Sequence, residues 1–218
     1  MTHHLPLQDS DIPTVARFIH LSSLQQATNR FVFKDWPAEK TQIAFFERNL
    51  RKAGVRGWKA VSGEGEVVGA VMFSREEVKG AGMENRDEQV AGKGRVVEGR
   101  EGLNLEFLSV FRGALMGAQR GLEGVDHLVL DFIFVSPSLR NKGLGTQLVD
   151  LCLEKAKEEK LPLKVCSVPS AVGFYRRLGF REIGFADLDL AVWGPEKGGF
   201  GVYRFWGLVY GEYESEGV

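Results

Sequence analysis

An α/β fold built on a mixed sheet is what this sequence predicts, and three features predict it. Residues 127–135 form a nearly continuous run of bulky apolar and aromatic side chains, interrupted by Asp131, which suits a strand buried on both faces. A turn with two glycines, a charged amphipathic stretch at 145–160 and a second apolar run at 163–167 follow. Strand, turn, helix, strand is a βαβ unit, and such a unit sets its two strands parallel. Upstream, residues 58–61 and 67–73 are β-rich runs joined by Gly63-Glu64-Gly65-Glu66, a hairpin signal that adds antiparallel pairing to the same sheet.

The remaining elements follow in order. Ile12, Val15, Ala16, Phe18, Ile19 and Leu21 recur at helical spacing over 11–24, with Pro13 acceptable in the first turn. A second helix, from about 38 to 53, carries Ile43, Phe46 and Leu50 on one face and stops at Gly54. Residues 74–102 mix charges of both signs with glycines and have no hydrophobic period, which predicts a flexible insertion. A third helix is expected over 103–120, its stripe of Leu105, Leu108, Phe111, Leu115 and Met116 packed on the sheet. A short helix at 171–178 and strands at 180–190 and 202–210 complete the chain, which reads as one domain over residues 1–218.

Composition narrows the function. Hydrophobic residues make up 44% and charged residues 26% of 218, ordinary for a globular protein, and a net charge of -1 gives no electrostatic reason to expect nucleic acid or a membrane surface as partner. No apolar run approaches the ~20 residues of a membrane span, and residues 1–11 lack the pattern of a leader, so the cytoplasm is the expected location, with the nucleus open. Cys152 and Cys166 sit in apolar stretches without partners at metal-ligand spacing, and His3, His4 and His20 do not cluster, so they suggest no metal. His127, at the strand edge, is a weaker catalytic candidate and is expected at the surface.

Chemistry concentrates where the buried strand ends. Ser136-Pro137-Ser138-Leu139 leads into Arg140-Asn141-Lys142-Gly143-Leu144-Gly145-Thr146 and then a helix. Two glycines in such a turn let the backbone curve so that several N–H groups face one anion at the positive end of a helix dipole, a geometry suited to a pyrophosphate. The spacing is neither that of a Walker A loop nor that of the dinucleotide fingerprint. The pattern R-x-x-G-x-G from Arg140 to Gly145, preceded by V-x-P at Val135 to Pro137, resembles the acetyl-CoA signature of the GNAT N-acetyltransferases. Ala171-Val172-Gly173-Phe174-Tyr175-Arg176-Arg177-Leu178-Gly179-Phe180 is similar to that family's A-x-x-F-Y-x-x-x-G-F segment. Val168 departs from the family, many of whose members have asparagine there; Ser167 and Ser170 are the available substitutes.

The resemblance implies a sheet whose two parallel strands splay apart, with the pantetheine arm of acetyl-CoA bonded to backbone near Ile133, Phe134 and Val135. It implies a pyrophosphate on the amides of Asn141, Lys142, Gly143, Leu144, Gly145 and Thr146, with Arg140 and Lys142 adding charge. It implies that Tyr175 is the general acid for the departing thiolate, and that an N–H near Phe134 or Val135 stabilises the oxyanion. Asp131, the single acid within an apolar strand, is the candidate general base, since burial is costly for a carboxylate unless it has a partner or faces a wet cleft. The expected reaction is direct acetyl transfer to an unidentified amine acceptor, small molecule or protein, without a metal. The alternative is a non-catalytic acyl-CoA-binding module of the same fold; oligomeric state stays open.

Overall fold

The computed structural model describes residues 2–78, 102–122 and 124–213. Its centre is one seven-stranded sheet: β1 (His3–Pro6), β2 (Gly57–Val61), β3 (Val67–Glu76), β4 (His127–Val135), β5 (Leu163–Ser167), β6 (Arg181–Asp189) and β7 (Val202–Tyr210), in the spatial order β1-β2-β3-β4-β5-β7-β6. Every neighbouring pair is antiparallel except β4 and β5, which run parallel across the βαβ unit. Among the described residues six α-helices flank it: α1 (Ile12–Ser23), α2 (Asn29–Val32), α3 (Glu39–Ala53), α4 (Leu105–Ala118), α5 (Leu144–Glu159) and α6 (Val172–Arg177).

Helix α5 covers one face of the sheet, where Leu148, Val149 and Cys152 pack on Leu128, Leu130, Leu163, Val165 and Leu208. On the opposite face α1 and α3 cover one end, burying Ile12, Val15 and Phe18 against Ala70, Met72 and Phe134. Helix α4 covers the other end, in an aromatic cluster that includes Phe33, Phe107 and Phe205. Between these two patches Ser74 and Asp131 lie on that face.

Three sequence expectations need correction. Helix α4 is present, and Leu108, Phe111 and Leu115 of the expected stripe pack inward together with Phe107, Ala114 and Ala118, but Leu105 is half exposed and Met116 is 73% exposed. Apolar residues lie all round this helix, so periodicity alone could not choose the face; the approach to β7 does, since a Cβ on Gly207 would collide with the Ala118 carbonyl. The expected insertion begins too early, because residues 74–76 continue β3; residues 79–101 of it lie outside the described residues. His127 is buried, not at the surface. Two elements carry no sequence signal: β1, an HHLP segment held by pairing with β2, and the four-residue α2. No helix among the described residues is long and apolar enough to cross a membrane.

Candidate active site

The site starts from a defect in β4. Strand β3 pairs Met72 with Phe132 and Phe73 with Leu130, so Asp131 is an extra residue without a partner, a β-bulge. The bulge reverses the alternation of side chains. Before it, Leu128 and Leu130 face α5; after it, Ile133 and Val135 do, while Phe132 and Phe134 face α1, with Phe134 stacked on Phe18 at 4.3 Å. The same extra residue coincides with the parting of the parallel strands. Leu128, Val129 and Leu130 pair with Leu163, Lys164 and Val165, and β4 then continues on β3 while β5 continues on β7.

Beyond Leu130, therefore, one edge of β4 has no strand partner. The antiparallel ladder decides which groups occupy it. Ser136 donates its N–H to the Val68 carbonyl, so Phe134 and Phe132, two and four residues earlier, also direct their polar groups at β3. Ile133 and Val135 turn theirs into the gap. Of the three residues expected to meet the pantetheine arm, Ile133 and Val135 are aimed at it, whereas the Phe134 N–H is occupied in the sheet. The Val135 carbonyl accepts from Arg140 Nε at 3.2 Å, so this guanidinium closes the following turn.

The glycine-rich turn has the conformation its residues suggest. Asn141 has φ +60° and Gly143 has φ +82°, in a region asparagine and glycine tolerate best, and Gly143 is the N-cap of α5. Nothing lies within 4 Å of a Cβ built on Gly143, so its backbone angle is what calls for glycine there. A Cβ built on Gly145 would meet Phe174 at 3.6 Å and Val135 at 3.9 Å, ordinary contact distances. Leu144 points inward and is buried, which leaves only its amide for a ligand; the Lys142 side chain is exposed and does not line the cleft.

The gap opens into a cleft of about 670 Å³, lined at one end by Arg140, Asn141, Gly143, Gly145 and Thr146 and at the other by Asp131, Cys166 and Tyr203. Tyr175, on α6, lies between them and is only 3% exposed. Its ring meets Phe174 and Phe180 edge-on, and burial, with a small contribution from Cys152, pushes the phenol upward, so it holds its proton at neutral pH. Asp131 is accessible to solvent, but the walls of the concave cleft deprive it of bulk water. That desolvation raises its carboxyl to about 6, against the opposing hydrogen bond from Ser74. The thiols of Cys152 and Cys166 are pushed up to about 12 and about 11 by burial, which keeps both as neutral packing residues. At Val168, Ser167 spends its hydroxyl on the neighbouring carbonyl at 3.2 Å, while Ser170 lines the cleft.

Beside Asp131 lies a group of residues that sequence reasoning passed over. Lys164, 5% exposed, donates Nζ to Glu76 at 3.0 Å, and His127 Nε2 lies 2.9 Å from the same carboxylate oxygen. These contacts hold Glu76 down to about 2. A lysine inside the apolar run LKVCS was a legible signal of the same kind as Asp131; its partner, 88 residues away, was not. Ser22, Gln25 and Gln26 at the end of α1 also reach the cleft. Among the described residues no cluster of three or more His, Cys, Asp or Glu side chains could hold a metal.

The family description of GNAT acetyltransferases matches residues 21–180, which span both the parted strands and the glycine-rich turn. The chain belongs to the acetyltransferase (GNAT) family. It is 35% identical over 75 residues to the L-methionine sulfoximine/L-methionine sulfone acetyltransferases of Pseudomonas paraeruginosa and Pseudomonas aeruginosa. That match takes in 33% of this chain and 44% of each relative, so the chain spans less than half the length of the curated relatives it matches. Its fold is similar to that of histone acetyltransferase HPA2 and related acetyltransferase from Corynebacterium glutamicum, with a TM-score of 0.62 at 16% identity over 99% of this chain and 98% of that one. It is also similar to Arabidopsis thaliana NAA60 in complex with acetyl-CoA, with a TM-score of 0.53 at 14% identity over 96% and 98% of the two chains.

Proposed function

We propose that this acetyltransferase moves an acetyl group from acetyl-CoA to a primary amine in a ternary complex, with Asp131 as base and Tyr175 as acid. The observation that carries the reading is the free inner edge of β4, whose cleft has the glycine-rich turn at one end, a carboxylate at the other and a buried phenol between them. A slim amide-bearing arm fits this edge as an added strand. The amides from Asn141 to Thr146, at the N-terminus of α5, suit the pyrophosphate, and Gly143 permits its close approach.

The chemistry follows from charge. An ammonium acceptor first gives a proton to the Asp131 carboxylate, which passes it to water. The neutral nitrogen then bonds to the thioester carbon, and the carbonyl oxygen becomes an oxyanion facing the Val135 N–H. As the C–S bond breaks, sulfur takes the Tyr175 proton, and the phenol is restored by the second proton lost from nitrogen. The balance is ammonium plus acetyl-CoA giving amide, CoA thiol and one proton to solvent. A carboxyl near 6 is mostly ionised at pH 7 and still basic enough to accept a proton, which is what a general base requires.

Incubation with acetyl-labelled acetyl-CoA and a panel of small amines, amino acids and peptides tests the reading. Label appearing in an amide product is the expected result. Thermal stabilisation by CoA without transfer to any acceptor would leave a binding module, and no stabilisation at millimolar CoA would sink the cofactor assignment.

A further inference from the structure

We infer that Ser74 is a positioning residue for the reaction: its hydroxyl fixes the Asp131 carboxylate toward the acceptor side of the cleft. This rests on the reading of Asp131 as base. The placement comes from the register. Ser74 is paired with Val129, so the two share the open face of the sheet, and the bulge puts Asp131, two residues after Val129, on that face as well. Ser74 Oγ donates to Asp131 Oδ1 at 3.1 Å, 57 residues apart in sequence. This bond turns one carboxylate oxygen toward β3 and leaves Oδ2 to meet an acceptor.

The serine is itself held. Two residues on, and on the same face of β3, Glu76 is tied to buried Lys164 of β5 at 3.0 Å and approached by His127 of β4. The ion pair passes over Val129 and joins the two strands on either side of β4, just before the point where β4 and β5 separate. Strand β3 is thereby pinned at Glu76, and Ser74 is presented to Asp131 from a fixed backbone. The charged and titratable groups around Asp131 are then Glu76 from β3, which raises its carboxyl, Lys164 from β5, which lowers it, His127 on its own strand, and Cys166 of β5 and Tyr203 of β7 at the same end of the cleft. Cys152 of α5, beneath the sheet, stays a neutral thiol. Ser74 contributes the hydrogen bond that favours the ionised form, the largest effect opposing desolvation.

The test compares wild type with Ser74→Ala, Ser74→Thr and Asp131→Asn, measuring the pH profile of kcat/KM and CoA affinity. Loss of a hydrogen bond to a carboxylate should move the acidic limb of the Ser74→Ala profile to higher pH, lowering kcat/KM at pH 6 by about 5- to 10-fold while the value at pH 8.5 stays within about 2-fold. CoA affinity should not change, and Ser74→Thr, which keeps the hydroxyl, should recover the wild-type limb. Titration of the Asp131 carboxyl by 13C NMR should show the same upward move without any acceptor. A Ser74→Ala profile that overlies wild type, or a uniform loss at every pH, overturns the inference. Retention of wild-type activity by Asp131→Asn instead overturns the underlying assignment of the base, so the two failures are distinguishable.

Discussion

The two halves of β4 have nearly the same composition and opposite roles. Residues 128–130 are bonded to a strand on each side and contribute Leu128 and Leu130 to the core; residues 132–135 are bonded on one side and bound a cleft. Side-chain type does not separate them, since both halves are apolar. What separates them is the extra residue at Asp131 and the departure of β5, so the site is a place where the sheet stops pairing, not where polar residues accumulate.

Proline scanning should break this comparison most sharply. Leu128→Pro removes an N–H bonded to the Pro162 carbonyl at 2.9 Å inside the core and should cost ~3 kcal/mol or more, seen as loss of soluble, cooperatively melting protein. Val135→Pro removes an N–H that faces the cleft; the variant should fold and still lose kcat by roughly 10²- to 10³-fold if that group is the oxyanion donor. A folded Leu128→Pro protein would show that the paired half is not the structural one.

Gly143→Glu sharpens the other end of the cleft. It sets an anion at the α5 N-terminus and forces a side chain into a left-handed φ, so CoA affinity measured calorimetrically should fall by roughly 100-fold or more. Space around the position is open, so the fold should survive. Tyr175→Phe should keep CoA affinity within a few fold and lower kcat by roughly 10²-fold; normal turnover would make Tyr175 a packing residue.

The smallest effect concerns stability. Asp131 rises from an ordinary 3.8 to about 6, so the folded state binds its proton more tightly than the unfolded chain does. Stability from this group is fully present below about pH 4 and is lost as pH rises through 6. Asp131→Asn removes that loss. Its Tm advantage over wild type should therefore grow between pH 4 and 6 and level off above, and a Tm difference independent of pH would count against a crowded carboxyl.

Legibility divides along the same line. Strands β4, β5 and β7 and helix α5 could be read because their apolar spacing is local, and the turn at Asn141 and Gly143 because positive φ restricts residue type. Asp131 was conspicuous as a charge in an apolar run. The bulge that aims it was not, because a register is a property of two strands. The same holds for Ser74, for the tie between Lys164 and Glu76, and for Ser22, Gln25 and Gln26, whose place at the cleft depends on how α1 crosses the sheet. Leu105 and Met116, the two ends of the expected α4 stripe, misled because that helix is apolar on more than one side.

The free edge of β4 has one more consequence. An unpaired strand edge on the outside of a protein invites any passing polypeptide to add to it, and folded chains guard against this with charge, proline or a cover. Here the edge lines a cleft, with β5 on one flank and the turn before α5 on the other, so the molecule's own elements serve as the cover. The backbone can thus remain adhesive inside the cleft while the outer face of the sheet offers no such edge at this point.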